Sequence, residues 1–344
     1  MYSSGNAKAD LHGGVTKMSY RNPNRASTMV PEQIEMILYI TEGFIVILVN
    51  IPVMGIIFFS KSLSNSKELM FIGGLCLADT VDAIAYAGAG IARTAMYTIG
   101  SEDSLETQIN CFFTFYVTVF LIGYQYTAIM TLIVALDRFA AVFFPSQQMR
   151  FSKHKRFIVI AGAGIYCSLT WLVVWPLQTY APSAVSPLIS AQCFVAKTFI
   201  PKVWVYIIGL RVICISTSVL LYIPIGLRMH KMLNTKSNSE MQATFQNKRF
   251  IRLTVTIAMT SVIALCLLVI PDVLMIFDVA GLSKYHVFFY FIGLNKCLLN
   301  IFIYTLRQRE LCRALICTIF RILRLDTSNL VLRYRHRWTA EVRK

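Results

Sequence analysis

The chain has 344 residues, of which 56% are hydrophobic and 15% charged, with a net charge of +16 and a mean hydropathy of +0.60. A soluble domain carries about a quarter charged residues, so a soluble globular protein is excluded. Nucleic acid is not the expected partner either, because the interior cations fall mostly in alternate connections between apolar blocks, as in a multi-pass membrane protein. No zinc-like Cys/His spacing, phosphate-cradling glycine loop or nucleophile–base pairing stands out. Neither a cofactor nor an enzymatic reaction is expected.

Residues 1–33 are polar and mixed in charge, with no early apolar core, so the first span is expected to act as the insertion signal. Seven apolar blocks follow, at 34–60, 68–93, 109–137, 157–177, 203–228, 252–277 and 286–306. Each is of a length that crosses a bilayer as a helix, and none alternates as a β-barrel strand would. The expected fold is an all-α integral membrane bundle of seven transmembrane helices over 34–306. Four connections, 60–68, 138–157, 228–252 and the stretch after Tyr304, carry 23 of the 33 Lys and Arg; the three opposite connections carry three. That asymmetry predicts a cytoplasmic C-terminus and an extracellular N-terminal segment in a multi-pass plasma-membrane protein. Residues 307–325 predict a short amphipathic eighth helix lying on anionic lipid, with Leu311, Leu315, Ile319 and Ile322 at helical spacing and Arg307, Arg309, Arg313, Arg321 and Arg324 flanking them. A basic cytoplasmic tail, 326–344, ends the chain.

Ionisable residues inside a membrane are costly and mark functional sites. The blocks hold Asp79, Asp82, Arg211, Asp272 and Lys296, with Glu42 nearer one end. Lys296 precedes Asn300 by one helical turn and shares its face. It therefore either pairs with Asp79 or snorkels without a partner. Arg211 either pairs with Asp272 or meets an anionic group of a ligand. The third block carries Phe113, Tyr116, Phe120 and Tyr124 at helical spacing; such a stripe reads either as packing core or as the wall of a ligand pocket. At its end, after 30 uncharged residues, stand Asp137 and Arg138 in "ALDRFAAVFFP". Alone, this pair reads equally as a snorkelling Arg or as a two-state latch.

The motifs point further in combination. "DRFAAVFFP" resembles the Asp-Arg-Tyr motif of rhodopsin-like G-protein-coupled receptors, with Phe139 in place of Tyr and Pro145 in register. "LCLAD" places Asp79 at that family's intramembrane acid, and Asn50 matches its first-span Asn. "NIFIY", Asn300 to Tyr304, resembles its Asn-Pro-x-x-Tyr with Ile301 in place of Pro. Over 34–325 the chain resembles that family, and most of all the nematode serpentine chemoreceptors of the srsx type. The resemblance implies a heterotrimeric G protein reading Asp137, Arg138, Phe139, Asn300 and Tyr304 at the inner face. It implies a polar core of Asn50, Asp79, Thr127 and Lys296, where related receptors bind sodium; here the Lys296 ammonium would replace the ion. It also implies a disulfide between Cys111 and Cys193, although Cys111 precedes Arg138 by 27 positions, slightly more than is usual in the family, which asks for a bulge or a shifted cysteine. The other span cysteines, Cys76, Cys167, Cys214, Cys266 and Cys297, read as buried apolar residues.

Several ligand classes are narrowed by the same register. Phe120 stands where amine receptors hold an acid, which disfavours a biogenic amine. The retinal-binding Lys position is taken by Leu294, two residues or about 200° from Lys296, so a photopigment is not expected. Pro271 matches the sixth-span kink proline, while Val269 replaces the toggle Trp. Cys312 and Cys317 are open to palmitoylation, and Ser237 and Ser239 to phosphorylation. The reading is a chemosensory receptor, at the plasma membrane and in a sensory cell's cilia, that binds an external small molecule between Phe113, Tyr116, Phe120, Tyr124, Arg211 and Asp272. A neuropeptide receptor is the alternative, since the outer acids Glu102, Asp103, Glu106 and Asp278 suit a cationic peptide. From other classes, a transporter lacks an internal repeat and a channel lacks a filter loop.

Overall fold

A computed structural model describes residues 26–59, 69–101, 104–144, 152–180, 188–235, 241–278, 281 and 286–322. Within them seven helices are long and apolar enough to cross a membrane. The first span lies in Ala26–Phe59, the second is Leu69–Ile99, the third Phe115–Phe143 and the fourth Lys153–Tyr180. The fifth is Pro201–Thr235, the sixth runs through Met241–Ala264, a wider turn at Leu265–Val269 and Ile270–Ile276, and the seventh is His286–Arg307. The chain is a multi-pass membrane protein with the expected all-α bundle. Several helices overrun the apolar blocks, notably the second, fifth and sixth. Hydropathy falls where the lipid ends, whereas helical hydrogen bonding continues into the solvated turns beyond.

Exposure is inverted relative to a soluble protein. Leu48, Ile213 and Phe302 are 74%, 66% and 60% exposed, whereas Asp79, Arg138, Lys296 and Asn300 are all at 2% or less. Such a surface is stable only against lipid. The interior has two main apolar clusters: one around Tyr86, Tyr116, Phe120 and Tyr290 towards the disulfide end, the other around Leu75, Met130, Val134 and Tyr304 towards the Asp137 end. Cys266 departs from expectation, because it is exposed on the lipid side while Cys76, Cys167, Cys214 and Cys297 are buried.

Small residues let the first two spans approach closely. A Cβ on Gly90 would lie 2.9 Å from the Met36 carbonyl oxygen and 2.7 Å from Ile40 Cγ1. Backbone cannot yield as a flexible side-chain tip can. Gly90→Ala is therefore expected to lower stability by about 1–3 kcal/mol, read as an earlier thermal midpoint of the purified protein. An unchanged midpoint would mean that the seam is looser than this geometry implies.

The third block, expected as one helix, is broken. A short helix, Gln108–Phe112, ends at Phe113, and the span restarts after Thr114, whose backbone is extended at φ −63°, ψ 135°. This interruption absorbs the extra length between Cys111 and Arg138. It also turns Phe113 away from the pocket proposed for it: the residue is 48% exposed, and its ring meets Trp171 and Trp175 of the fourth span edge to face. A further element escaped the hydropathy pattern. Strand β1, Leu105–Thr107, pairs antiparallel with β2, Leu188–Ser190, with Glu106 opposite Ile189. Three residues per strand are too few to show alternation.

The sixth span carries its irregularity where Pro271 requires one. Proline cannot donate to the turn before it, and the widened turn Leu265–Val269 sits immediately ahead. The last described helix, Arg309–Ile322, packs buried Leu311 beneath the bundle and leaves Cys317 exposed and Cys312 half-buried. Pro145, Ser237, Ser239, Glu102, Asp103, Arg324 and the tail from 326 lie outside the described residues. So do the side chains of Arg309, Ile319, Arg321 and Ile322.

Candidate functional site

Ionisable and polar side chains line the bundle interior from one end to the other, in four tiers. At the disulfide end, Cys111 and Cys193 are bonded, as the sequence led one to expect. Cys193 adopts φ +46°, a left-handed conformation that ordinary residues rarely take. The adjoining segment is pinned over the bundle. Arg93 Nε donates to the Gln192 carbonyl at 2.9 Å and the Tyr116 hydroxyl donates to the same oxygen at 3.0 Å. The Arg93 guanidinium also lies 4.5 Å from the Phe194 ring centre. Gln178 holds the far side, donating to Thr198 O at 2.8 Å and accepting from Ile200 N at 3.2 Å. No motif singles out Arg93, because its partner Gln192 lies in a loop about a hundred residues away.

Beneath this cover lies an aromatic wall. Phe120 meets Tyr86 and Tyr290 edge to face at centroid distances of 5.8 and 5.9 Å and lies tilted against Tyr124 at 5.0 Å. The Tyr124 hydroxyl donates to Asp272 Oδ1 at 2.6 Å. Arg211 approaches Asp272 Oδ2 at 3.5 Å and lays its guanidinium carbon 3.6 Å above the Tyr124 ring centre. The third, fifth and sixth spans thus meet at three buried side chains, just beyond the Pro271 turn.

The middle tier centres on Asp79. Lys296 Nζ donates to Asp79 Oδ1 at 2.6 Å and Asn300 Nδ2 to Oδ2 at 2.9 Å, all buried. The two members anticipated beside them are placed differently. Thr127 Oγ1 donates to Asp82 Oδ2 at 2.7 Å, one turn along from Asp79. Asp82 can approach the third span because Gly123 faces it; a Cβ there would lie 3.1 Å from Asp82 N. Asn50 is wholly buried, and its amide finds no hydrogen bond among the described residues. A small space of mixed lining, with Leu75, Val134 and Ile257 beside Thr131, Ser261 and Asn300, continues towards the far end. It is of a size for about one water.

At the far end Asp137 receives Arg138 from its own helix, through Nη2 and through Nε at 3.1 Å. It also faces Arg156 of the fourth span at 3.7 Å. Arg138 and Arg156 are each 1% exposed, and Arg156 lies over the Phe71 ring at 5.4 Å. One carboxylate therefore holds two buried guanidiniums, of which the motif reading had found one. A positive residue at the start of the fourth span was the available signal, but inner loops abound in cations and nothing local singles it out. Phe139 stacks on Phe143 at 4.5 Å and packs by Tyr222, while Tyr304 is buried one turn below Asn300.

Chemically three of these tiers hold charge pairs in low dielectric: Lys296 with Asp79, Arg211 near Asp272, and Arg138 and Arg156 sharing Asp137. Such pairs exchange partners in discrete steps rather than deform continuously. Among the described residues no His, Cys, Asp or Glu group gathers as a metal site. A family model described as serpentine type 7TM GPCR chemoreceptor Srz matches residues 83–288. This span includes the disulfide, the Tyr124–Arg211–Asp272 contact and the Asp137–Arg138 pair, and it stops short of Lys296 and Asn300. The serpentine chemoreceptor resemblance is borne out, and the group matched is Srz, where the motifs alone had suggested the srsx type. No curated protein matches the chain.

Proposed function

The chain belongs to the Srz family of serpentine seven-transmembrane chemoreceptors, and on that premise we propose that it binds an external small molecule and activates a heterotrimeric G protein. The disulfide end is extracellular and the Asp137 end cytoplasmic in this reading, as the distribution of Lys and Arg among the connections favours. The observation that carries it is the buried cluster of Arg138, Asp137 and Arg156 at the cation-rich end. In this closed arrangement Arg138 is occupied by Asp137 and withheld from a partner. Once released, its planar fork suits the carbonyls at the end of an inserted helix.

The ligand acts from the opposite end. It occupies the aromatic tier, biases the sixth span at its widened turn, and so shifts the population in which Arg138 is free. Lys296 and Asp79 stand between the two ends as a fixed pair about which the seventh span packs. The plasma membrane is the corresponding location, and the family is one of receptors rather than enzymes.

The test is nucleotide exchange on a G protein in membranes, against pooled odorants and pooled peptides, at matched surface levels. Arg138→Ala is expected to lose the ligand response by about tenfold or more, the worth of a charge-assisted hydrogen bond. Asp137→Asn, which frees the same guanidinium, is expected to raise ligand-independent exchange. A wild-type response retained in full by Arg138→Ala would refute the latch, and a response confined to the peptide pool would make the protein a peptide receptor.

A further inference from the structure

The interior arginines are not held alike. Arg138 spends its edge on Asp137, and Arg93 donates Nε to the Gln192 carbonyl. Arg211 lies instead over the Tyr124 ring, its guanidinium carbon 3.6 Å from the ring centre. Its approach to Asp272 is 3.5 Å, yet neither Nε nor Asp272 Oδ2 makes a hydrogen bond. Asp272 gives its short bond, 2.6 Å, to Tyr124. Among the described residues no hydrogen bond leaves the Arg211 guanidinium. Five N–H donors in a membrane interior thus lack a hydrogen bond and have only the 3.5 Å approach to Asp272, at a large desolvation cost.

We infer that the ligand of this receptor carries a carboxylate on an apolar body, and that the carboxylate takes the edge of Arg211 in competition with Asp272. This rests on the receptor reading above and names the chemistry of its ligand. The ring contact restrains the guanidinium, so its fork is in place for two parallel N–H···O bonds before the ligand arrives. Phe120 and Trp204, with ring centroids 5.0 and 6.4 Å from that of Tyr124, flank the position and suit an aliphatic or aromatic body. An ammonium would meet the Arg211 charge directly. Asp82 also acts on this guanidinium through space, but it is hydrogen-bonded by Thr127 and offset by Lys296. Asp272 is therefore the group an incoming anion must displace. It lies next to Pro271 and the widened turn of the sixth span, so its release acts where that helix bends most readily.

The experiment measures binding and not signalling. Thermal midpoints of the purified, full-length protein are titrated with phenylacetate, 2-phenylethanol and phenethylamine, and with hexanoate, hexanol and hexylamine. The carboxylates are expected to raise the midpoint, and their alcohol and amine counterparts to leave it in place. Arg211→Gln is expected to weaken carboxylate binding by about tenfold or more. Arg211→Lys, which keeps the charge and loses the fork, should fall between that variant and wild type. Asp272→Asn should strengthen it by about threefold or more, as removal of a competitor requires. Arg211→Gln and Asp272→Asn break the same ion pair, so a purely structural role would move both in one direction. Shifts of equal sign in the two, equal response to the alcohols or amines, or no midpoint change with any carboxylate would each overturn the inference. Carboxylate binding without G-protein activation would uphold it and instead count against the signalling role.

Discussion

Lys296→Ala is expected to cost about 3–5 kcal/mol of stability, the usual penalty for removing one member of a buried pair. The wild-type ammonium sits 2.6 Å from Asp79 Oδ1 with both side chains at 2% exposure or less. Once it is gone, the Asp79 carboxylate is left with neutral donors such as the Asn300 amide at 2.9 Å, and a neutral donor does not neutralise a charge in this setting. Two further outcomes separate pairing from a general packing defect. The double variant Asp79→Asn with Lys296→Ala should recover much of the loss, since no unbalanced charge remains. Sodium, compared with choline as the chloride salt, should raise the thermal midpoint of the single variant and not of the wild type, because a free cation can then enter where the ammonium stood. A wild type that responds to sodium as the variant does would mean that Lys296 does not occupy the cation's place.

Loss of the Cys111–Cys193 bond is the second large effect expected. The two cysteines are 82 residues apart, and closing a loop of that length is worth about 4.5 kcal/mol in the chain-entropy description. Spans that remain helical and inserted in the unfolded state reduce this figure, so a loss of about 2–4 kcal/mol is expected in a membrane. Cys111→Ser, Cys193→Ser and the double variant should lower the thermal midpoint equally, and reductant should bring the wild type to the same value. Function should suffer more than stability. The bond holds the segment whose Gln192 carbonyl engages both Arg93 and Tyr116, and so it fixes the roof of the aromatic tier. If the double variant were no worse than wild type in midpoint and in ligand response, the Arg93 and Gln178 contacts would be sufficient to hold that roof by themselves.

Much of the molecule is determined by the sequence alone, for a physical reason. Whether a stretch enters a membrane depends on its summed transfer free energy over about 20 residues, a property that needs no knowledge of neighbours. Seven spans follow from it, as does the inward placement of costly groups such as Asp79, Lys296 and Arg138. The one-turn spacing of Lys296 and Asn300 puts both on a single face, and the structure brings both to Asp79. Local chemistry also made Pro271 a site of irregularity, and the Leu265–Val269 turn stands beside it.

Only the tertiary structure decided who meets whom. A residue's partner depends on the rotation and height of another helix, and one position along a helix turns the side chain by about 100°. Thr127 thus reaches Asp82 instead of Asp79, and a single break after Phe112 sends Phe113 out to Trp171 and Trp175. Arg156 joins Asp137, and Arg93 finds Gln192, because helices far apart in sequence cross at those levels. Arg211 and Asp272 were legible as a possible pair. That Tyr124 takes both, the guanidinium by its ring and the carboxylate by its hydroxyl, depends on the meeting of three spans, which no window of sequence contains.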